Sequence, residues 1–435
     1  MTDSLVTPTS VTPPARSRWS SHLAVPLFRN AYALVVSGVL TTLLGLAFWA
    51  LAARYYPPAE VGRASAAVSA MTMVAALLQL NLNSGLMRFL PDAGHAGRSL
   101  LLRAYGITTV TTTVGAIVLV LVSAGHSFLA DLGSDAWAFT ALFVLTVPIW
   151  SLFVMQDAAL IGLRAAVYIP AENLVFAVAK LGLLVVLAGW PTGGLLAAWI
   201  LPAIALIVPV TWLLLRRLLP ARATQIGTVT AWGQVRRYLA ADFSGSFLET
   251  LTAAAIPIIV TWRLGLVENA YFYTSWVVLI GVEMVLNSIG SSLTVEGAHD
   301  RSALGGLRRS AGRVTALFVG VCVPIGVLGA PMLLGIIGSE YADAGTSLFR
   351  LLLLGVPFRA LVVLRLSAAR VERRGGTILA YQATYAVAMF AGCWVGLGVL
   401  GIDAVGWVFL VVQLLLAAAV LAERVRWSGG SRRSA

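Results

Sequence analysis

The sequence predicts an all-α, polytopic membrane protein with about twelve transmembrane helices arranged as two six-helix halves. Three observations carry this. Hydrophobic residues make up 59% and charged residues 11% of the 435 residues, and the mean hydropathy is +0.90, too apolar for a water-soluble chain of this size. Apolar runs of about 20 residues, each able to cross roughly 30 Å of hydrocarbon as a helix, recur along almost the whole chain. Arginines collect in alternate loops, which gives every run an orientation.

Residues 1–28 are rich in Ser, Thr and Pro and lack the apolar core of a signal peptide, so they read as a disordered cytoplasmic tail. Trp19, Leu23, Leu27 and Phe28 suit a short interfacial anchor. The first half occupies 29–215, with spans near 31–53, 64–89, 104–124, 137–161, 171–189 and 194–215. A basic connector over 216–237, with Arg216, Arg217, Arg222, Arg236 and Arg237, leads to the second half, 238–422. Its spans lie near 238–261, 270–294, 312–337, 346–369, 376–398 and 403–422, and 423–435 form a cytoplasmic tail. The arginine distribution places both termini on the cytoplasmic side of the cytoplasmic membrane. The acidic turns at Asp131–Asp135 and Glu340–Asp343 then fall outside.

Six spans per half is an even number, so repeated halves share one orientation and form a parallel pseudo-repeat. A weak echo agrees with this. Arg54 to Glu60 and Arg263 to Glu268 occupy corresponding outer loops, and each precedes a helix with Asn towards its cytoplasmic half: Asn81 and Asn83 in one, Asn287 in the other.

Several functions are disfavoured. The formal net charge of +12 is spread over loops rather than one soluble face, so no nucleic-acid partner is expected. The lone lysine, Lys180, follows no Gly-rich run, which removes a phosphate-binding P-loop. Gly396, Gly398 and Gly401 match a dinucleotide fingerprint but sit at the end of an apolar helix with no strand before it, a setting for close packing or a turn. His22, His95, His126 and His299 are scattered, and Cys322 and Cys393 lie in spans without ligand spacing, so neither metal nor cofactor is expected. Short outer loops leave little room for an extracytoplasmic glycosyltransferase or polymerase site, and no enzymatic activity is expected.

Ionisable groups inside spans are costly unless paired or wetted, which makes them the best functional pointers. They are Asp157, Lys180, Asp242, Glu249, Glu283, Arg350, Arg359 and Arg365. Lys180 and Asp157 enter from the same surface at depths of about 13 and 9 Å, so they can meet. Two readings stand: a structural ion pair, or a cavity lysine facing an anionic substrate with Asp157 as its resting partner. Asp242, Ser246 and Glu249 share one face of the seventh helix. Glu249 and Glu283 both approach the midplane, where Arg359, beyond Pro357, can neutralise either. That set is either a buried structural network or a proton- or cation-coupling site.

Uncharged polar positions add Ser37, Thr41 and Gly45 on the first helix and Gln79, Asn81 and Asn83 on the second. Arg88 closes the second helix as a lipid-phosphate anchor or a diphosphate contact at the cytoplasmic mouth. Pro148, Pro202, Pro209, Pro257, Pro324 and Pro357 interrupt spans, which suits helices that bend.

These residues carry a resemblance. Asn30-Ala-Tyr32, Ala53-Arg54-Tyr55-Tyr56-Pro57, Glu60-Val-Gly62, Asn83-Ser-Gly85 and Arg88-Phe-Leu resemble the polysaccharide and oligosaccharide-lipid flippases of the multidrug/oligosaccharidyl-lipid/polysaccharide exporter superfamily. Gln156-Asp157, Gly162-Leu-Arg164, Glu172-Asn173 and Lys180 look like its actinobacterial lipopolysaccharide-biosynthesis-type branch. The resemblance spans most of the chain. It implies two six-helix bundles around a central cavity and outward movement of a lipid-linked glycan of the undecaprenyl-diphosphate type, beside glycosyltransferases or a polymerase of the same pathway. Lys180, Arg88 and Arg359 would then serve the diphosphate, and Asn81, Asn83 and Ser246 the sugars. The first helix lacks the cavity arginines associated with peptidoglycan-precursor flippases, which makes that cargo less expected. The rival within the superfamily is a cation-coupled multidrug antiporter, and the rival outside it an intramembrane lipid-modifying enzyme.

Overall fold

The structure is a computed structural model, and it describes residues 41, 43–123, 135–223, 246–299, 304–372 and 374–431. Every regular element among them is helical. Eleven helices are long and apolar enough to cross a membrane, and a shorter apolar helix, Leu43–Tyr55, stands at the place of the first expected span. The amino-terminal tail, Ser37, most of the connector, Asp242 and the acidic residue Asp131 lie outside the described residues.

The first half comprises α1 (Leu43–Tyr55), α2 (Pro58–Leu78), α3 (Leu82–Phe89), α4 (Gly97–Val122), α5 (Ala136–Gly162), α6 (Ile169–Val186) and α7 (Pro191–Leu213). The second comprises α8 (Ser246–Leu264), α9 (Leu266–His299), α10 (Leu304–Ile337), α11 (Ser339–Val371), α12 (Gly375–Leu400) and α13 (Asp403–Ser431). Three of these, α9, α10 and α11, have 33 or 34 residues. At 1.5 Å per residue that is about 50 Å, so they tilt or project beyond the hydrocarbon.

The small residues of α2 decide its position. Ala64, Ser65, Ala66, Ala67, Ser69 and Ala70 are all buried, so neighbouring backbones approach closely. Accordingly α2 packs on α4, α5 and α7 in its own half and on α8 and α9 in the other. In the second half α11 plays the same central part, against α9, α10, α12 and α13.

The single helix expected over 64–89 is two. Leu80 and Asn81 adopt left-handed backbone, φ 51° and 57°, and α3 starts afresh at Leu82. No proline is needed, because polar side chains take over the ladder at the elbow. Thr111 Oγ1 donates to the Leu78 carbonyl at 2.7 Å, Gln79 Nε2 to the Ser151 carbonyl at 2.8 Å, and Asn83 Nδ2 to Gln79 Oε1 at 3.0 Å.

Two other findings revise expectations. Glu340–Asp343 form the first turn of α11 rather than a loop, where carboxylates complement the helix dipole. Arg350 patches a helix defect: Pro331 cannot donate to the Val327 carbonyl, and Arg350 Nε does so at 3.0 Å. The glycine-rich end of α12 is the packing site and turn expected, since Gly396 faces Ala404 and Gly401 has φ 58° after the last helical residue.

Candidate substrate and coupling site

The seam between the halves is fastened at the end that the arginine distribution assigns to the outside. A Cβ on Gly62 of α2 would overlap the Leu266 carbonyl of α9. Asn269 Nδ2 donates to the Gly62 carbonyl at 3.0 Å and to Ser65 Oγ at 2.9 Å, fully buried. The Arg54 guanidinium caps the carboxyl end of α10 at the Ile336 carbonyl, 2.6 Å from Nη2. Trp49 meets Tyr273 across the seam with ring centroids 4.8 Å apart.

Behind Trp49 lies the lysine. Lys180 is 3% exposed, and its Nζ stands 4.0 Å from the ring centroid of Trp199, 5.0 Å from Phe48 and 5.1 Å from Phe176. Among the described residues no carboxylate lies within ion-pairing distance of it. The expected pair with Asp157 does not form, because depth along a helix says nothing of rotation about it and Asp157 faces elsewhere. Burying an ammonium costs several kcal/mol. A desolvated cation–π contact returns about 2 kcal/mol, so three rings supply the counterweight that Asp157 does not.

Asp157 instead lies within electrostatic reach of Glu172, in the opening turn of α6. Glu172 is 5% exposed. Neither of its carboxylate oxygens, nor Asp157 Oδ1, has a hydrogen-bond partner among the described residues. Sequence reasoning left Glu172 out of the ionisable groups inside spans, because it falls at the edge of the expected span 171–189.

In the second half four helices converge on one guanidinium. Arg359 of α11, 1% exposed, donates from Nε to Glu283 Oε1 of α9 at 2.8 Å and from Nη2 to Glu249 Oε1 of α8 at 2.5 Å. Asn287 Nδ2 also reaches Glu249 Oε1, at 3.3 Å, and Gln382 Nε2 of α12 reaches Oε2 at 3.1 Å. The Tyr385 ring lies 5.3 Å from the Arg359 guanidinium carbon. Two carboxylates thus share one cation. Sequence depth identified the three charges; Gln382 and Tyr385 were missed, though polar residues three apart in an apolar span mark a buried face.

The other expected residues scatter. Asn81 accepts from Ser84 Oγ at 2.8 Å at the elbow, beside Asn83. Arg88 is exposed, 5.9 Å above the Phe89 ring. Ser246 opens α8, and its side chain lies outside what is described. A cavity of about 1090 Å³ opens between α10, α11 and α13, and none of the expected site residues lines it.

No protein-family model and no curated protein matches the sequence. Solved structures do match. An inward-facing multidrug resistance MATE family transporter of the MOP superfamily superposes with TM-score 0.67 at 15% identity, covering 95% of this chain and 99% of that one. The lipid II flippase MurJ in an inward closed conformation gives 0.66 at 9% identity over 89% and 86%. The MATE multidrug transporter DinF-BH gives 0.66 at 14% over 97% and 98%. The chain has the fold of these three proteins.

Proposed function

We propose that the chain is an alternating-access transporter of the cytoplasmic membrane that carries a lipid-linked oligosaccharide or polysaccharide precursor outward, both termini being cytoplasmic. The fold supports transport, since it is shared with a lipid flippase and with drug transporters alike. The observation that carries the choice of cargo is Lys180, a buried cation next to the seam with aromatic faces and, among the described residues, no carboxylate around it. A diphosphate displaces such faces readily, because it supplies the full charge that a ring quadrupole only imitates. Trp150 and Trp199 near it are only partly buried and offer flat apolar surfaces of the kind that sugar rings pack on. Arg88 and Arg359 are the further diphosphate contacts in this reading, with Asn81, Asn83 and Ser246 towards the glycan. The cargo is of the undecaprenyl-diphosphate-linked type, supplied by glycosyltransferases and passed to a polymerase.

Coupling falls to the second half. Glu249 and Glu283 share Arg359, so a proton or cation that takes one carboxylate releases the guanidinium to the other. Asp242 belongs to the same proposed set.

A second reading, cation-coupled export of organic cations, is favoured by Asp157 and Glu172, two carboxylates with no ion pair among the described residues. One experiment separates the two. In cells relying on this protein, Lys180→Ala is expected to stop surface-glycan export and to accumulate the lipid-linked intermediate, with the protein still inserted and folded. Unchanged export, together with loss of cationic-dye efflux in Glu172→Gln, would overturn the glycan reading in favour of the antiporter.

A further inference from the structure

The large cavity lies away from the seam, inside the second half, and its two ends differ in chemistry. One end is charged: Arg308, Arg309, Arg365 and Arg374 stand with Glu372 and Glu423. Glu372 is shared by three guanidiniums, from Arg308 at 2.7 Å, Arg374 at 3.4 Å and Arg365 at 3.7 Å, while Arg365 also holds Glu423 at 2.9 Å. Arg309 is exposed and has no carboxylate within reach among the described residues. Four cations against two anions leave this rim positive.

The other end is aliphatic. Pro357, Ala360, Leu361 and Leu364 line it on α11, so the apolar wall runs about 12 Å from Pro357 to the level of Arg365. Facing it, Gly312, Thr315, Ala316, Val319 and Gly320 occupy one face of α10. Small residues four apart normally draw helices together. Here they do the opposite: a Cβ on Gly312 or Gly320 would meet nothing within 4 Å. The small residues hold the surface of α10 back and keep a furrow open, and the exposure of Ala316 and Gly320 carries it to the lipid-facing side of the bundle. Within it the Thr315 hydroxyl, on a residue 5% exposed, has no hydrogen-bond partner among the described residues. A buried hydroxyl without a partner is a cost that an added acceptor removes.

We propose that this cavity binds a phosphate-headed amphiphile, with the phosphate at the arginine rim and an acyl chain along the furrow between α10 and α11. The volume, about 1090 Å³, exceeds the roughly 300–1,000 Å³ of common small-ligand pockets, and its polarity runs from anion-binding to aliphatic as such a molecule requires. Arg359 is two residues from both Pro357 and Leu361, roughly 200° around α11, so the occupant braces the side of α11 opposite the Glu249–Arg359–Glu283 set. The site is therefore distinct from the Glu249–Arg359–Glu283 set, and binding is read without any transport assay.

The test uses the full chain in nanodiscs of phosphatidylcholine with a minor share of phosphatidylglycerol, followed by native mass spectrometry and thermal unfolding. Retention of one phosphatidylglycerol is expected, raising Tm over pure phosphatidylcholine. Arg309→Gln, which breaks no ion pair among the described residues, and Gly320→Leu, which fills open space, are each expected to weaken retention about tenfold. Retention by both variants equal to that of the unsubstituted protein, or phosphatidylcholine retained as well as phosphatidylglycerol, overturns the site. Stabilisation by inorganic phosphate alone, unaffected by Gly320→Leu, assigns the rim to a free anion and overturns the lipid.

Discussion

Glu249, Glu283 and Arg359 sum to one negative charge, and the shared guanidinium sits between the two carboxylates, with one nitrogen on each. Removing charge from Glu249 while keeping its shape turns the set into a simple pair, Glu283 with Arg359. Glu249→Gln is accordingly expected to fold and insert normally, and to transport at a rate that no longer follows the proton gradient. Transport measured in vesicles over a range of external pH checks this, and an unaltered pH profile would exclude Glu249 from coupling. This trio was legible in the sequence because ionisable residues are rare in apolar spans and depth alone brought them together. The surroundings of Lys180 were not: Glu172, Phe176 and Lys180 recur every four residues and mark the buried face of α6, but two of the rings around the lysine come from α1 and α7, to which nothing in that stripe points. An aromatic box drawn from α1, α6 and α7 has no local signature in the chain.

Helix interruptions here come with their own remedies supplied by neighbouring helices. Pro257 has no N–H for the Ala253 carbonyl, and Trp276 Nε1 of α9 donates to it at 3.1 Å; Arg350 does the same for Val327 across from Pro331. Such pairs join a proline on one helix to a donor on the next, so the donor is needed only because of the proline. Trp276→Phe is expected to destabilise by about 1–3 kcal/mol through the orphaned carbonyl. In a Pro257→Ala background, where residue 257 itself donates, most of that penalty is expected to vanish; thermal melts of the four proteins give the coupling, and additive effects would refute it. Sequence showed the prolines plainly, whereas the donors lie far along the chain. The elbow at Leu80 and Asn81 was illegible for the converse reason: nothing local forbids a helix there, and tertiary hydrogen bonds from Thr111 and to Ser151 make the break favourable.

Alternating access requires that the fastened end of the seam come apart. Among the described residues its polar and closest fastenings are the carbonyl of Leu266 against Gly62, Asn269 on Gly62 and Ser65, Arg54 on Ile336, and the Trp49–Tyr273 contact. They are set in an apolar core that both halves share. They tie α2 to α9, the helices through which the two halves meet most directly, so separating them moves whole bundles rather than a loop. The Ser65 and Asn269 side chains meet at 2.9 Å where the backbones of α2 and α9 come into close contact at Gly62 and Leu266, so cysteines at both positions are neighbours whose pairing oxidation tests. In the Ser65→Cys, Asn269→Cys double variant, oxidation is expected to arrest transport of whichever cargo is assayed, and dithiothreitol to restore it, with each single variant insensitive to both. Continued transport by a quantitatively cross-linked protein would mean that this seam never opens, and the cargo would need a route through one half alone.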